Sequence, residues 1–236
     1  MKLWISGYKG RMGQKIAEWA VKEEIEVIGG VDKDWGSYDE ISGADLVVDF
    51  SSPEGNLKLF EYLSSNKVEG KAVLVGTTGL TDERKKLWST LGSNNKVMVA
   101  ANTSLGIITL ISILGQVATR LKDFDIEISE THHRNKKDAP SGTALLLADA
   151  IQKKRAGLYV NTDRNKLRDK NEIGVVSLRG GSVFGEHSVR FLSDEEELEF
   201  SHRALSRDLF AKGAIRLVQW LASQKNGSYT IYDYKE

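Results

Sequence analysis

Leu3-Trp4-Ile5-Ser6-Gly7-Tyr8-Lys9-Gly10-Arg11-Met12-Gly13 decides the fold of this chain. A short apolar run ends at Gly7, glycine recurs at every third position to Gly13, and Ile16, Ala17, Trp19, Ala20 and Val21 follow at helical spacing. Apolar run, glycine turn and amphipathic period together predict a strand, a tight turn and a helix. Glycines let the backbone come close to a ligand, and the helix N-terminus offers N–H groups and a positive dipole end to a pyrophosphate. The spacing departs by one residue from G-x-G-x-x-G, so its context carries the argument. Val27-Ile28 to Val31 reads as a second strand, and Asp32 stands at its end, nineteen positions after Gly13. An acid there accepts hydrogen bonds from an adenine-ribose diol. Lys33 places a cation beside it that can receive a 2′-phosphate, so NADH and NADPH are both admissible.

Outward from this unit the pattern repeats. Leu46 to Phe50, Val73 to Val75 and Val97 to Val99 read as three further short strands. Pro53 with Glu54 opens one intervening helix, over Leu57 to Leu63, and Thr81 with Glu83-Arg84 opens another. Proline suits a first helical turn and acids suit the positive end of the dipole. Strands alternating with helices give an α/β fold, a Rossmann-type doubly wound parallel sheet whose ligands sit at the carboxyl ends of the strands. Gly76-Thr77-Thr78 and Ala100-Ala101-Asn102-Thr103 follow the fourth and fifth strands and fall on the rim that carries the Gly7 to Met12 turn. Small hydroxyl residues there suit a flat ring, and Asn102 suits a carboxamide.

Near residue 103 the rhythm changes. A long apolar helix runs from Leu105 to about Leu121, a strand from Phe124 to Ser129, and a helix over Ala144 to Ile151. Lys153 to Lys170 reads as an exposed loop and strands resume at Val175. Ser188 to Leu192 and Leu198 to His202 form an antiparallel pair across an acidic turn, and Asp208 to Leu221 is the last helix. Between strand and helix lies Glu130-Thr131-His132-His133-Arg134-Asn135-Lys136-Lys137-Asp138-Ala139-Pro140-Ser141-Gly142-Thr143. Its cations, placed next to a helix N-terminus, make an anion site suited to carboxylates. His132 titrates near neutrality and Lys136, crowded by other cations, is a second proton-transfer group. Adjacent histidines do not point at one metal and no cysteine assists them, so no metal site is expected. His187 and His202 lie in strands, where a structural role is expected of them, and Arg207 reads as structural or as part of the domain junction.

Composition removes whole classes. Lys+Arg and Asp+Glu are both 33, which argues against a nucleic-acid binder or a polybasic membrane clamp. The absence of cysteine excludes disulfides, thiolate metal sites and covalent thiol chemistry. No apolar stretch approaches the roughly 20 residues of a membrane span, and no secretory pattern stands at the N-terminus, so a cytoplasmic location is expected.

Taken together, these segments resemble the dihydrodipicolinate reductase family of the diaminopimelate route to lysine, over nearly the whole chain. The resemblance is carried by the Gly7 to Gly13 turn, Asp49-Phe50-Ser51-Ser52-Pro53-Glu54, Gly76 to Gly79, Glu130 to Thr143, Arg179-Gly180-Gly181 with Gly185-Glu186-His187, and Ser206-Arg207 with Phe210-Ala211 and Gly213-Ala214. It implies a nicotinamide-binding domain built from residues 1–103 and 207–236. A smaller α+β domain over 104–206 would bind substrate, form a homotetramer through its sheet, and close on the first domain by a hinge. It implies reduction of a cyclic imine dicarboxylate by NADH or NADPH, with His132 as acid/base residue and Lys136 as proton donor. His133, Gly142 and Thr143 then hold the substrate carboxylates. Gly7, Tyr8, Lys9, Gly10, Arg11, Met12, Asp32, Lys33, Gly76, Thr77, Thr78, Ala100, Ala101, Asn102 and Thr103 contact the cofactor. One departure is visible: Thr103 stands where the family usually has phenylalanine, so a ring beside cofactor and hinge is missing.

Overall fold

The computed structural model describes residues 1–235, which divide into two compact units, residues 1–104 with 207–235, and Leu105–Ser206. In the first unit, β1 (Lys2–Ser6), α1 (Arg11–Lys22), β2 (Glu26–Asp32) and β3 (Trp35–Gly36) are followed by β4 (Leu46–Asp49), α2 (Pro53–Ser65), β5 (Ala72–Val75), α3 (Asp82–Thr90) and β6 (Lys96–Val99). The second unit holds α4 (Leu105–Arg120), β7 (Asp125–His132), α5 (Gly142–Gln152), β8 (Tyr159–Asn161), β9 (Glu172–Arg179), β10 (Glu186–Leu192) and β11 (Glu197–Arg203). The chain then returns to the first unit as α6 (Asp208–Ala222) and β12 (Gly227–Tyr229).

The first sheet has the order β12-β6-β5-β4-β1-β2-β3 and is parallel throughout except at β3. Leu3, Trp4, Ile5, Leu46, Val47, Val48, Val73, Leu74 and Met98 are fully or almost fully buried, as strands covered on both faces require. One face packs Trp4, Val47, Val73 and Val97 against Leu59, Leu63 and Trp88 of α2 and α3. The other lies under α1 and α6, which also pack on each other. Because β2 and β4 flank β1 on opposite sides, the sheet reverses direction between β1 and β4, and the loops after these two strands diverge there. That divergence is where an open α/β sheet binds its ligand.

The turn from β1 to α1 is tight enough to require its glycines. Gly7 has φ +80°, and a Cβ on Gly13 would lie 2.1 Å from the Gly7 carbonyl oxygen and 2.7 Å from that of Tyr8. Ser52 and Thr81 cap α2 and α3 through bonds from the Gly55 and Arg84 N–H groups.

The second sheet, β11-β10-β7-β9-β8, is mixed: β7 pairs antiparallel with β10 and parallel with β9. Ile126 and Ile128 of β7, Ile173 and Val175 of β9, and Val189 and Phe191 of β10 are buried on one face. Across the two sheets the structure corrects the sequence reading in four places. β7 continues beyond Ser129 to His132, because Glu130 and His132 extend the inward alternation of Ile126 and Ile128 once their polar atoms find partners. The stretch read as a loop contains β8, fastened to β9 by Tyr159 N–H to Asn171 O and by Asn161 Nδ2 to Glu172 Oε2. β3 and β12 are edge strands of two and three residues, too short for a period to register. No helix among the described residues is long and apolar enough to cross a membrane.

Replacing Gly13 by alanine forces backbone apart, so the expected outcome is a loss of about 1–3 kcal/mol in urea unfolding. Gly43→Ala, whose Cβ would meet only Ile28 Cδ1 at 3.7 Å, serves as the neutral comparison.

Candidate functional site

Within the first unit, two adjoining cavities of about 490 and 920 Å³ lie at the β1/β4 divergence and share Phe50 and Ser51 as walls. The larger is bounded by Gly7, Gly10, Asp32 and Lys33, and the smaller by Arg11, Met12, Gly76, Thr77, Thr78, Ala101, Asn102 and Thr103. Twelve of the expected cofactor contacts thus converge on one continuous rim. Tyr8, Lys9 and Ala100 do not line it. Tyr8 instead stacks on Trp35 at 5.0 Å, the Lys9 N–H donates to Asp32 Oδ2 at 2.9 Å, and Ala100 N–H donates to Val75 O.

The rim is held by a carboxylate. Asp49, at the end of β4, is fully buried, and its oxygens accept from Ser51 Oγ at 2.5 Å, Asn56 Nδ2 at 2.7 Å and Thr77 Oγ1 at 2.7 Å. Asn56 in turn accepts from Trp88 Nε1 at 3.0 Å. The loops after β4 and β5 are therefore tied to one carboxyl group, and the Thr77 hydroxyl serves this tie, where its type had implied contact with a ring. Thr78 is the exposed member of the pair.

The residues fit a dinucleotide. Helix α1 begins with no side-chain cap and no acid in its first turn, so its positive end is uncompensated. Arg11 and Arg207 both line the smaller cavity, and burial together with Arg11 lowers the Arg207 pKa. Two guanidiniums held together in this way favour an anion between them. Asp32 and the exposed ring of Trp35 occupy the other end, matching a ribose and a flat base. Thr103 is buried and donates from Oγ1 to Phe210 O at 2.8 Å; the rings at this cavity come from Phe50 and Phe210 instead.

The second unit carries a buried cluster of one acid and two histidines. Glu130, His132 and His187 are all buried. Glu130 Oε1 accepts from Ser177 Oγ at 2.7 Å, Ser141 N–H at 2.9 Å and Arg179 Nη2 at 3.2 Å. Burial opposes ionisation of Glu130, but His187, Ser141 and Ser177 outweigh it and hold the carboxyl well below its usual range. His132 is driven the other way: burial, and then the positive potential from His187, Lys136 and Arg179, outweigh Glu130 and lower its pKa to about 4. The imidazole is neutral at neutral pH.

Glu130, His132 and His187 each bring a ligand atom within 4.8 Å of the others. Arg179 already donates to the same carboxylate and three donors occupy Oε1, so the cluster is organised for hydrogen bonding rather than for a cation. Lys136 Nζ lies 2.8 Å from Asp138 Oδ1, so an acid, and not only other cations, adjoins it. Gly142 and Thr143 open α5 behind the Ser141 cap, and His133 is half-buried in the loop before it. Sequence reasoning passed over Glu130 and His187. The available signal was parity: Glu130 falls on the inward side of a strand, where an acid is not placed without partners.

Two family models match the chain, "Dihydrodipicolinate reductase, N-terminus" over residues 1–103 and "Dihydrodipicolinate reductase, C-terminus" over residues 106–234. A 4-hydroxy-tetrahydrodipicolinate reductase from Campylobacter jejuni (serotype O:6) is 40% identical over 242 residues, 99% of this chain and 98% of that protein. One from Nitratiruptor sp. is 46% identical over 200 residues, 82% of this chain and 77% of its own. Among solved structures, dipicolinate-bound dihydrodipicolinate reductase from Paenisporosarcina sp. TG-14 superposes with a TM-score of 0.77 at 22% identity, covering 98% of this chain and 97% of that one.

The lowered pKa of His132 has a consequence for stability. Between about pH 6.5 and pH 4 the unfolded chain binds this proton and the native chain does not, so stability is full above that window and falls as pH drops through it. His202, lowered by burial and by His187, contributes with the same sign. Urea titrations across this range are expected to show the decline, and His132→Gln to reduce its slope by up to one proton; an unchanged slope would contradict the assignment.

Proposed function

The chain belongs to the dihydrodipicolinate reductase family, and from that premise we propose which of its residues perform the reaction. It is an NAD(P)H-dependent oxidoreductase, a 4-hydroxy-tetrahydrodipicolinate reductase of lysine and diaminopimelate biosynthesis. The cofactor, NADH or NADPH, supplies a hydride from its nicotinamide C4, and a conjugated cyclic imine dicarboxylate gains that hydride and one proton.

The first unit binds the cofactor. The glycine turn and the first N–H groups of α1 receive the pyrophosphate, Asp32 and Lys33 the adenine ribose with or without its 2′-phosphate, and Gly76 to Thr78 with Ala101 to Thr103 the nicotinamide end. The observation that supports this most is the continuous cavity pair walled by Phe50 and Ser51, with a ribose-binding acid at one end and an amide side chain at the other. In the second unit, His133 and the N-terminus of α5 at Gly142 and Thr143 hold the substrate carboxylates. Lys136 gives the proton, and His132 takes part as the acid/base group. Preset position and charge complementarity account for most of the rate. The domain limits follow the same division, residues 1–103 with 207–236, and 104–206.

The protein assembles as a cytoplasmic homotetramer through the second sheet. The face of that sheet away from α4 and α5 carries Val176 and Leu178, 38% and 53% exposed, among Ser129, Thr131, Ser188 and Ser201. Small residues beside an exposed apolar pair on β9 suit burial against a second copy.

Two measurements check this reading. His132→Ala and Lys136→Ala should each bind NADH as tightly as the parent and lose most reductase activity, on the order of a hundredfold or more; an undiminished rate removes that residue from the mechanism. Light scattering of the purified protein should give four times the mass of the chain, and Leu178→Asp should lower it.

A further inference from the structure

We propose that Glu130 is the positioning residue of the acid–base centre: its Oε2 holds His132 through Nδ1, so that Nε2 is the atom at which the working proton is gained and given. The proposal rests on the reading of His132 as the acid/base group, and adds what sets the tautomer of its ring.

Strand geometry brings the two together. Glu130 and His132 are two residues apart on β7 and project from the same face, toward the interior. His132 Nδ1 stands 3.6 Å from Glu130 Oε2, and neither atom has another hydrogen-bond partner although both are buried. That separation is just beyond hydrogen-bond length, and a side-chain adjustment of under about 1 Å closes it. A buried carboxylate oxygen facing a buried ring nitrogen is satisfied only if the nitrogen carries hydrogen.

The other oxygen explains why the carboxylate cannot turn away. Ser141 N–H, Ser177 Oγ and Arg179 Nη2 all donate to Oε1, from the α5 cap and from β9. With Oε1 saturated by three donors, Oε2 is left for the histidines. His187 of β10, the register partner of Glu130, places Nε2 3.6 Å from Oε2 and 3.3 Å from Ser141 Oγ. Gly185 lies against the opposite edge of His132. A Cβ on Gly185 would lie 3.1 Å from His132 Nε2, so a residue without a side chain preserves the approach to that nitrogen.

One carboxylate therefore joins two functions. Through Oε2 it orients the proton-transfer ring, and through Oε1 it fixes the residue that caps α5, whose next two residues are assigned to substrate. The charged and titratable groups facing His132 are Glu130 on its own strand, Arg179 on β9, His187 on β10 with His202 beyond it on β11, and Lys136 with Asp138 from the loop. Among them Glu130 is the anion that raises the His132 pKa, whereas His187, Lys136 and Arg179 lower it. A dianionic substrate adds to the effect of Glu130, so protonation of His132 becomes easier when substrate is bound.

The test reads the ring directly. Enzyme labelled with 15N-histidine, its four imidazoles assigned by single His→Gln variants, should show neutral His132 as the Nδ1–H tautomer at pH 7.5. The reverse tautomer in the parent protein overturns the proposal without any further variant. Glu130→Gln gives the sharper outcome. The three donors hold the amide oxygen at the Oε1 position, which turns the NH2 group toward Nδ1 and drives His132 to the Nε2–H tautomer. Its pKa falls, the limb of the kcat/KM pH profile that belongs to His132 moves to lower pH, and kcat drops by roughly a hundredfold or more, as when an orienting acid is replaced by its amide in other histidine dyads. NADH affinity is unchanged. If Glu130→Gln loses activity while tautomer and pH limb stay where they were, Glu130 is structural only and the proposal fails. An undiminished rate in His132→Ala removes the reading beneath it, and this is seen independently of any Glu130 variant.

Discussion

A carboxylate removed from water must have its oxygens hydrogen-bonded, and in this protein that single requirement organises both working regions. Leaving such a group unpaired costs several kcal/mol, so the surrounding chain is held wherever it supplies a donor. Asp49 draws Ser51, Asn56 and Thr77 inward and thereby fixes the loops after β4 and β5 on one rim. Glu130 draws in Ser141, Ser177 and Arg179, and thereby fixes the start of α5 relative to β7 and β9. Each carboxylate stands in or at the end of a strand, where the backbone is rigid, and each uses its donors to import that rigidity into a loop. The loops are the parts that must meet ligand with fixed geometry.

Charge follows the same logic. The chain is formally neutral, yet Arg11 and Arg207 share one cavity wall, and Lys136 and Arg179 raise the potential around His132. These local excesses face the places where a pyrophosphate and a dicarboxylate are assigned. Neutral His132 is the result of burial added to neighbouring cations, and Glu130 is the counterweight that keeps the ring protonatable.

The nucleotide-binding half was largely legible because its determinants are local. Gly7, Gly10 and Gly13 are read from backbone sterics, the strands from short apolar runs, and Asp32 from its distance beyond the turn. The departure at Thr103 was visible as well. Its consequence was not, because the rings of Phe50 and Phe210 reach the cavity from segments far away in sequence. Tyr8 and Lys9 belonged to the right turn yet do not line its cavity, since both pack on Trp35, whose place depends on where β3 crosses. The edge strands β3, β8 and β12 escaped notice because two or three residues establish no period, and they exist only through pairing with a longer neighbour.

The second half shows the boundary more sharply. His132 and Lys136 were evident from residue type within a dense polar segment, whereas Glu130 passed as part of that segment and His187 as a structural histidine. By itself, the sequence determined the α/β class, the glycine turn proposed to bind phosphate and the segment proposed to hold the acid–base residues, since each depends on neighbours within a few positions. Only the tertiary structure decided that Glu130, His132 and His187 share one buried cluster and that Lys136 pairs with Asp138. Register across β7, β9 and β10 sets those contacts, and register is a property of strands folded together rather than of any one of them.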